Sequence, residues 1–220
     1  MTRNGGYPTP AAPARPFWAV GVPLGLMTTS LSTAAHASPA SVQFYLATAC
    51  SAAALVGAWW LFGDRRLVQG RRSVVPAFRH AAQGVGLGAA LGLVFALGAL
   101  VMVRIPALAA PVDALLANAA GAALLPTLMT TWINGAAEEL FFRNTVVRHL
   151  AGLGRWAIPT AVGLYVVGTL PMQVPVLALA AVAVGVLAHA EVRRTGGVVS
   201  AMTMHLTWST LMVVLLPAVV

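Results

Sequence analysis

The chain is poor in everything that charges or cross-links a protein. Of its 220 residues only five are acidic, lysine is absent so that all thirteen basic residues are arginine, and there is a single cysteine. A lone Cys50 excludes an intramolecular disulfide and any cysteine-ligated metal cluster, and it is expected to pack mid-helix. The missing lysine suggests GC-rich coding and points to no mechanism. Charged residues are 8% of the chain against 59% hydrophobic ones, and the mean hydropathy of +0.85 lies far outside the range of a soluble globular domain. Spans of roughly 20 residues with short loops would fill the length with about seven helices and leave almost no room for a soluble domain. The expected fold class is therefore all-α, a polytopic transmembrane helical bundle of about seven spans. The net charge of +8 does not call for nucleic acid as a partner, because cytoplasmic loops of membrane proteins collect arginine. Membrane lipids are the surroundings this composition requires.

Residues 1–16 are rich in Pro, Gly and Ala and read as a flexible Pro-rich amino-terminal tail. Residues 17–112 read as amino-terminal transmembrane helices, and residues 113–220 carry the chemistry. The apolar segments run over about 17–35, 42–62, 81–103, 114–150, 156–170, 174–190 and 198–219. The first ends in Ala35-His36-Ala37, which imitates a signal-peptidase site, although its length also fits a first span. Gly84, Gly88 and Gly92, four residues apart, allow a neighbouring helix to approach the third segment closely. Arg104 to Asp113 reads as a proline-containing turn, and Gly152 and Gly154 end the fourth segment. With the amino terminus inside, twelve of the thirteen arginines fall on the cytoplasmic side and only Arg104 outside. The expected location is a cell membrane, of bacterial inner-membrane type, crossed several times with the amino terminus cytoplasmic.

Against this background, Asn134 to Arg143 (N-G-A-A-E-E-L-F-F-R) stands out. An ionised side chain at the centre of a spanning helix costs roughly 2.5 to 3.5 kcal/mol on insertion scales, so such residues face a protein interior or a wet cavity. Glu139 and Arg143 are i,i+4 and share a helix face, while Glu138 is rotated about 100° away. One glutamate can thus be held while the other stays free. At 1.5 Å rise per residue, Glu138 lies roughly 18 Å from the helix end at Leu150, Thr169 roughly 18 Å from Ala157 and His205 roughly 10 Å from Val198. Three helices then converge on an inward-open cavity holding Glu138, Glu139, Arg143, Thr169, His205 and Ser209. A carboxylate in such a cavity can take a proton from water as a general base, and a histidine across from it can donate a proton or stabilise an oxyanion.

The residues alone also allow blander readings: a solvated Glu138–Glu139 pair neutralised by Arg143 and Arg148, an interhelical hydrogen bond for His205, and hydroxyls of Thr207 and Ser209 bonded back to their helix. His36, His80, His149 and His189 look interfacial. There is no H-E-x-x-H for zinc, no G-x-S-x-G for a serine nucleophile, and the only aspartates, Asp64 and Asp113, fall in loops on opposite sides. Neither a metal nor a cofactor is implied.

E-E-L-F-F-R at Glu138 to Arg143 resembles the E-E-x-x-x-R motif of the CPBP family, also called Abi or CAAX-protease-like, of intramembrane glutamic peptidases. R-R-T-G-G-V-V-S-A-M-T-M-H from Arg193 to His205 is similar to its closing signature, an R-T-G turn leading into a helix that bears a histidine. The resemblance covers about residues 120 to 212 and makes 113–220 a CPBP-like peptidase core. It implies that Glu138 activates water, that Glu139 and Arg143 hold the helix, and that His205 helps stabilise the oxyanion. The family's middle motif, F-x-x-x-H, is matched by Tyr165-Val166-Val167-Gly168-Thr169, with Thr169 where histidine is expected, and Ser209 stands where the last motif ends in Asn or Asp. Threonine does not titrate near neutral pH, so the loss of such a group typically forfeits about a hundredfold to ten-thousandfold in rate. Two functions follow as expectations. One is an endopeptidase acting from the cytoplasmic side on membrane-anchored or prenylated (CAAX-type) peptides. The other is a catalytically silent relative that holds a partner helix in the same cavity.

Overall fold

Why apolar segments become helices here is a matter of backbone hydrogen bonds: in hydrocarbon every N–H and C=O must be paired within the segment. The computed structural model describes residues 16–69, 77–102, 104–117 and 123–218, which contain helices and no strand. The expected tail falls outside the described residues except for Pro16, as do Arg71 and Arg72 of the basic loop.

Helices α1 (Trp18–Ala35) and α2 (Val42–Phe62) form a hairpin. Ser41 caps α2 by accepting from the Phe44 N–H at 3.2 Å. Cys50, expected to pack, is exposed on α2. A short helix α3 (Arg65–Gln69) leads towards α4 (Ala77–Met102). The expected turn at 104–113 is instead mostly α5 (Pro106–Leu116), which contains Asp113. Pro106 sits at its first position, where a missing N–H leaves no bond unmade. Then follow α6 (Leu124–Leu140), a π-helical turn (Phe141–Val146) and α7 (Val147–His149). Pro126 lies in the first turn of α6, so it interrupts no hydrogen bond and puts no kink near Glu138. After a 3-10 segment at Ala151–Trp156 come α8 (Ala157–Thr169), α9 (Pro175–Thr195) and α10 (Val199–Leu215). Gly196, at φ +73°, ends α9 in the left-handed conformation that glycine adopts without a Cβ clash.

All the apolar segments are helical where described, but their lengths differ from the expected seven spans. Among the described residues three helices, α2, α4 and α9, are long and apolar enough to cross a membrane, or up to four if Leu124–His149 and Ala151–Met172, bent by 118°, form one span. Part of the shortfall lies in the helices around the glutamates, where α8 has 13 residues and α10 has 17, about 20 and 26 Å at the α-helical rise; α1, with 18 residues, is not among the qualifying spans either.

The core runs through Leu55, Phe141, Phe142, Ala161, Tyr165, Val184, Ala188 and Met204, and large apolar side chains such as Trp60, Leu93, Val101, Ile133 and Leu179 face outward. The glycine stripe finds its neighbour in α10. A Cβ on Gly84 would meet the Ser200 carbonyl and the Thr203 hydroxyl, and one on Gly88 would overlap the Met204 carbonyl. The close approach lets Thr203 donate across to the Ala81 carbonyl at 3.2 Å. Gly88→Leu is therefore expected to force α4 and α10 apart at a cost of about 1 to 3 kcal/mol. Gly86→Leu should cost little, because nothing lies within 4 Å of its Cβ position. Thermal midpoints of the two variants in mild detergent check this.

Hydrogen bonds tie elements together at the end of the bundle bearing Arg148, Arg155, Arg193 and Arg194. The Asp64 N–H donates to Asn144 Oδ1 at 2.7 Å, Asn144 Nδ2 donates back to the Asp64 carbonyl at 2.8 Å, and the Val198 N–H donates to the Leu67 carbonyl at 3.0 Å. The α2–α3 connection thus straps the π turn to the start of α10.

Candidate active site

Glu138 and Glu139 occupy the last turn of α6 and have different surroundings. Glu139 is fully buried, with Arg143 Nε 3.1 Å from its Oε2. That contact is at ion-pair distance without an aligned hydrogen bond. Glu139 Oε1 lies 2.8 Å from His205 Nδ1. An ionised carboxylate only accepts, so this contact assigns the proton to Nδ1 and leaves Nε2 turned the other way. Nε2 lies 3.9 Å from Glu138 Oε2. The imidazole therefore stands between the two glutamates, bonded to Glu139 and 3.9 Å from Glu138.

Glu138 is the more open of the two, its side chain 15% exposed, and its Oε2 accepts a hydrogen bond of 2.6 Å from the Tyr165 hydroxyl. The Arg143 guanidinium, wholly buried, stands 4.6 Å over the Tyr165 ring, a geometry in which a cation is attracted by the ring's negative face. Gly135, one turn before Glu139, lets α6 approach α10: a Cβ there would lie 3.7 Å from two atoms of the His205 ring and 3.2 Å from Leu206.

Glu138, Tyr165, Thr169, His205 and Ser209 line one cavity of about 590 Å³, whose remaining wall is mainly apolar, with Phe95, Ala99, Met102, Val174, Leu177 and Trp208 among its residues. Glu139 and Arg143 stand behind this wall. Thr169, where the sequence motif expects histidine, donates its hydroxyl to the Val166 carbonyl of its own helix at 2.8 Å. Ser209 is buried.

The cavity extends along the bundle from the glutamates. Its lining residues on α6, α8, α9 and α10 run from the glutamates towards Thr127, Met172, Val174 and Leu216, the helix ends remote from Arg148, Arg155, Arg193 and Arg194. Helical rise gives how far a residue lies from a helix end, not the direction in which a cavity extends.

Residues 120–211, a stretch that holds all six of the sequence-derived candidates, match the family model described as Type II CAAX prenyl endopeptidase Rce1-like. This segment is an Rce1-like domain. It is consistent with the CPBP family that the glutamate motif resembles, and together with the apolar helices it makes the chain a multi-pass membrane protein. Searches of curated proteins and of solved structures found no match. The Rce1-like domain begins after α5, so α1 to α5 lie outside the matched residues, although Thr48 of α2 and Phe95 of α4 reach its cavity.

Three polar residues of the Rce1-like domain sit otherwise than the sequence reading has them, or escape it. His189 is not interfacial but 1% exposed. Its Nδ1 is bonded to the Gly185 carbonyl at 2.7 Å, and it lies within electrostatic reach of Arg143 and Glu139. Glu191 is buried and accepts from Ser200 at 2.6 Å and from Arg194 at 3.1 Å and 3.3 Å, with the Gln83 amide of α4 also bonded to it. It fastens α4, α9 and α10 together. The Tyr165 hydroxyl, set on Glu138, is the third. Among the described residues no group of three or more His, Cys, Asp or Glu is placed to hold a metal ion.

Proposed function

We propose that this protein is an intramembrane endopeptidase that hydrolyses peptide bonds of membrane-anchored or prenylated (CAAX-type) proteins with a water activated by Glu138. One observation carries the reading: His205 joins a glutamate locked by Arg143 to a glutamate that faces the cavity, with contacts of 2.8 Å and 3.9 Å. Glu138 takes a proton from water as the water oxygen attacks the carbonyl carbon, and an electron pair moves onto the carbonyl oxygen. His205 Nε2, when protonated, donates to that oxyanion, and Glu139 steadies the resulting imidazolium through Nδ1. The carbon–nitrogen bond then breaks, and the departing amine leaves with the proton that Glu138 had taken. Glu139 and Arg143 position the helix and the imidazole. The apolar wall suits a lipid-anchored or apolar chain, which approaches from the half of the bundle remote from the arginine-bearing ends.

A second reading rests on Thr169. Its hydroxyl is bonded within its own helix and cannot act as the acid or base that histidine would supply, which favours a silent relative that binds a partner helix in the cavity. The test is cleavage of membrane-anchored, prenylated and unprenylated reporter peptides by the full chain in membranes, with products sequenced by mass spectrometry. Defined cleavage by the wild type supports the peptidase, and Thr169→His is then expected to raise the rate at least about tenfold. No cleavage by the wild type, with cleavage by Thr169→His, would move the function to partner binding.

A further inference from the structure

The Tyr165 hydroxyl raises a question of its own. Packing needs only the ring, which lies 4.9 Å from Phe142 and under the Arg143 guanidinium, and phenylalanine would fill that place. A buried hydroxyl costs free energy unless it is bonded. Here it is bonded at 2.6 Å to the one carboxylate that faces the cavity. One turn further along α8 stands Thr169, whose own hydroxyl is committed to Val166. Helix α8 therefore delivers a single side-chain donor to Glu138, and it does so from position 165 rather than 169.

We infer that Tyr165 is a catalytic residue of this chain, a second donor that takes over at the transition state the place left by the missing histidine. The inference rests on the peptidase reading above. The phenol donates to Glu138. Once Glu138 has accepted the proton from water it is neutral and the negative charge sits on the former carbonyl oxygen. A water held by Glu138 puts its target carbonyl beside the phenol, so the phenolic hydrogen bond passes from the carboxylate to the oxyanion as the charge moves. Tyr165 keeps its own proton throughout. The tetrahedral species collapses with cleavage of the carbon–nitrogen bond, and the amine nitrogen receives the proton from Glu138. The hydroxyl is thus matched to the point where charge develops, which is what accelerates the step.

The experiment uses the full chain in membranes and a reporter peptide that the wild type cleaves. It compares Tyr165→Phe, Tyr165→Phe/Thr169→His, Glu138→Gln and, for loss of a tyrosine hydroxyl elsewhere, Tyr45→Phe, whose hydroxyl bonds to Thr127 at 3.2 Å. Tyr165→Phe is expected to keep its thermal midpoint and its KM, to lower kcat about a hundredfold, and to regain at least about tenfold when Thr169→His returns a donor to α8. Tyr45→Phe should cleave at the wild-type rate. Full kcat in Tyr165→Phe, with Glu138→Gln inactive, would overturn the role of Tyr165 and leave the peptidase standing. A fall in kcat that tracks a lowered midpoint and is not rescued by Thr169→His would make the hydroxyl structural and overturn it equally. Undiminished cleavage by Glu138→Gln would remove the peptidase reading itself, and this inference with it.

Discussion

Glu138→Gln is expected to lower cleavage by about a hundredfold to ten-thousandfold, the range that a positioned general base supplies, while the protein accumulates in membranes as the wild type does. Glutamine has nearly the shape of glutamate, and its amide oxygen still accepts the Tyr165 hydrogen bond seen at 2.6 Å. It cannot hold a proton taken from water. Because Glu138 lies on the cavity wall rather than in the buried ion pair, neutralising it leaves Arg143 with its partner. The check is the cleavage rate beside the thermal midpoint in mild detergent. A variant that fails to accumulate would make Glu138 a structural residue.

Arg143→Ala is expected to act the other way, on the fold before the chemistry. Arg143 and Glu139 are both wholly buried and 3.1 Å apart. Removing one member of such a pair leaves an uncompensated buried charge and costs about 3 to 5 kcal/mol, a large share of the roughly 5 to 15 kcal/mol that holds an ordinary domain together. The truncation also removes the cation above the Tyr165 ring. The variant should be recovered at a small fraction of the wild-type level, or unfold at a markedly lower temperature. In Glu139→Gln/Arg143→Met both charges are gone and much of the volume is kept, so accumulation should return. Activity should not return with it, because the carboxylate that fixes His205 Nδ1 at 2.8 Å is lost. Accumulation of Arg143→Ala at the wild-type level would show that the pair is dispensable to folding.

What the sequence made legible here was pairwise and local. The i,i+4 spacing of Glu139 and Arg143 tells which glutamate is held, and the pair stays 3.1 Å apart although the π turn starts at Phe141, between them. Helical rise put His205 roughly 10 Å and Glu138 roughly 18 Å from their helix ends, and the packing of α6 on α10 brings the two side chains to 3.9 Å. The glycine stripe at 84, 88 and 92 announced a close neighbour without naming α10. Other features are set by contacts that periodicity does not encode. Tyr165 belonged to the quoted motif, yet in F-x-x-x-H only a ring is expected there, so its hydroxyl went unweighed. Glu191 looks like one more loop charge beside Arg193 and Arg194 until Gln83, 108 positions away, comes up against it. His189, close to two arginines in sequence, resembled an interfacial residue, whereas α9 continues to Thr195 and draws it inside. The tie at the arginine-bearing end depends on Asn144 meeting Asp64 across 80 positions. Such a contact leaves no local pattern.

The π turn carries one more consequence. An α-helix advances about 100° per residue, and a π turn accommodates an extra residue in the ladder, so the stretch Phe141–Val146 resets the angular phase of everything after it. Asn144, inside it, clasps Asp64 with both atoms of its amide, while six residues earlier Glu138 looks into the cavity. The two ends of this shaft are keyed to each other. Deleting a single residue from the turn would remove the extra residue and let regular winding carry the segments on either side in the phase they have now. A further residue inserted here, with no second bulge to absorb it, would turn the lock on one end of the bundle about 100° against the chemistry at its centre.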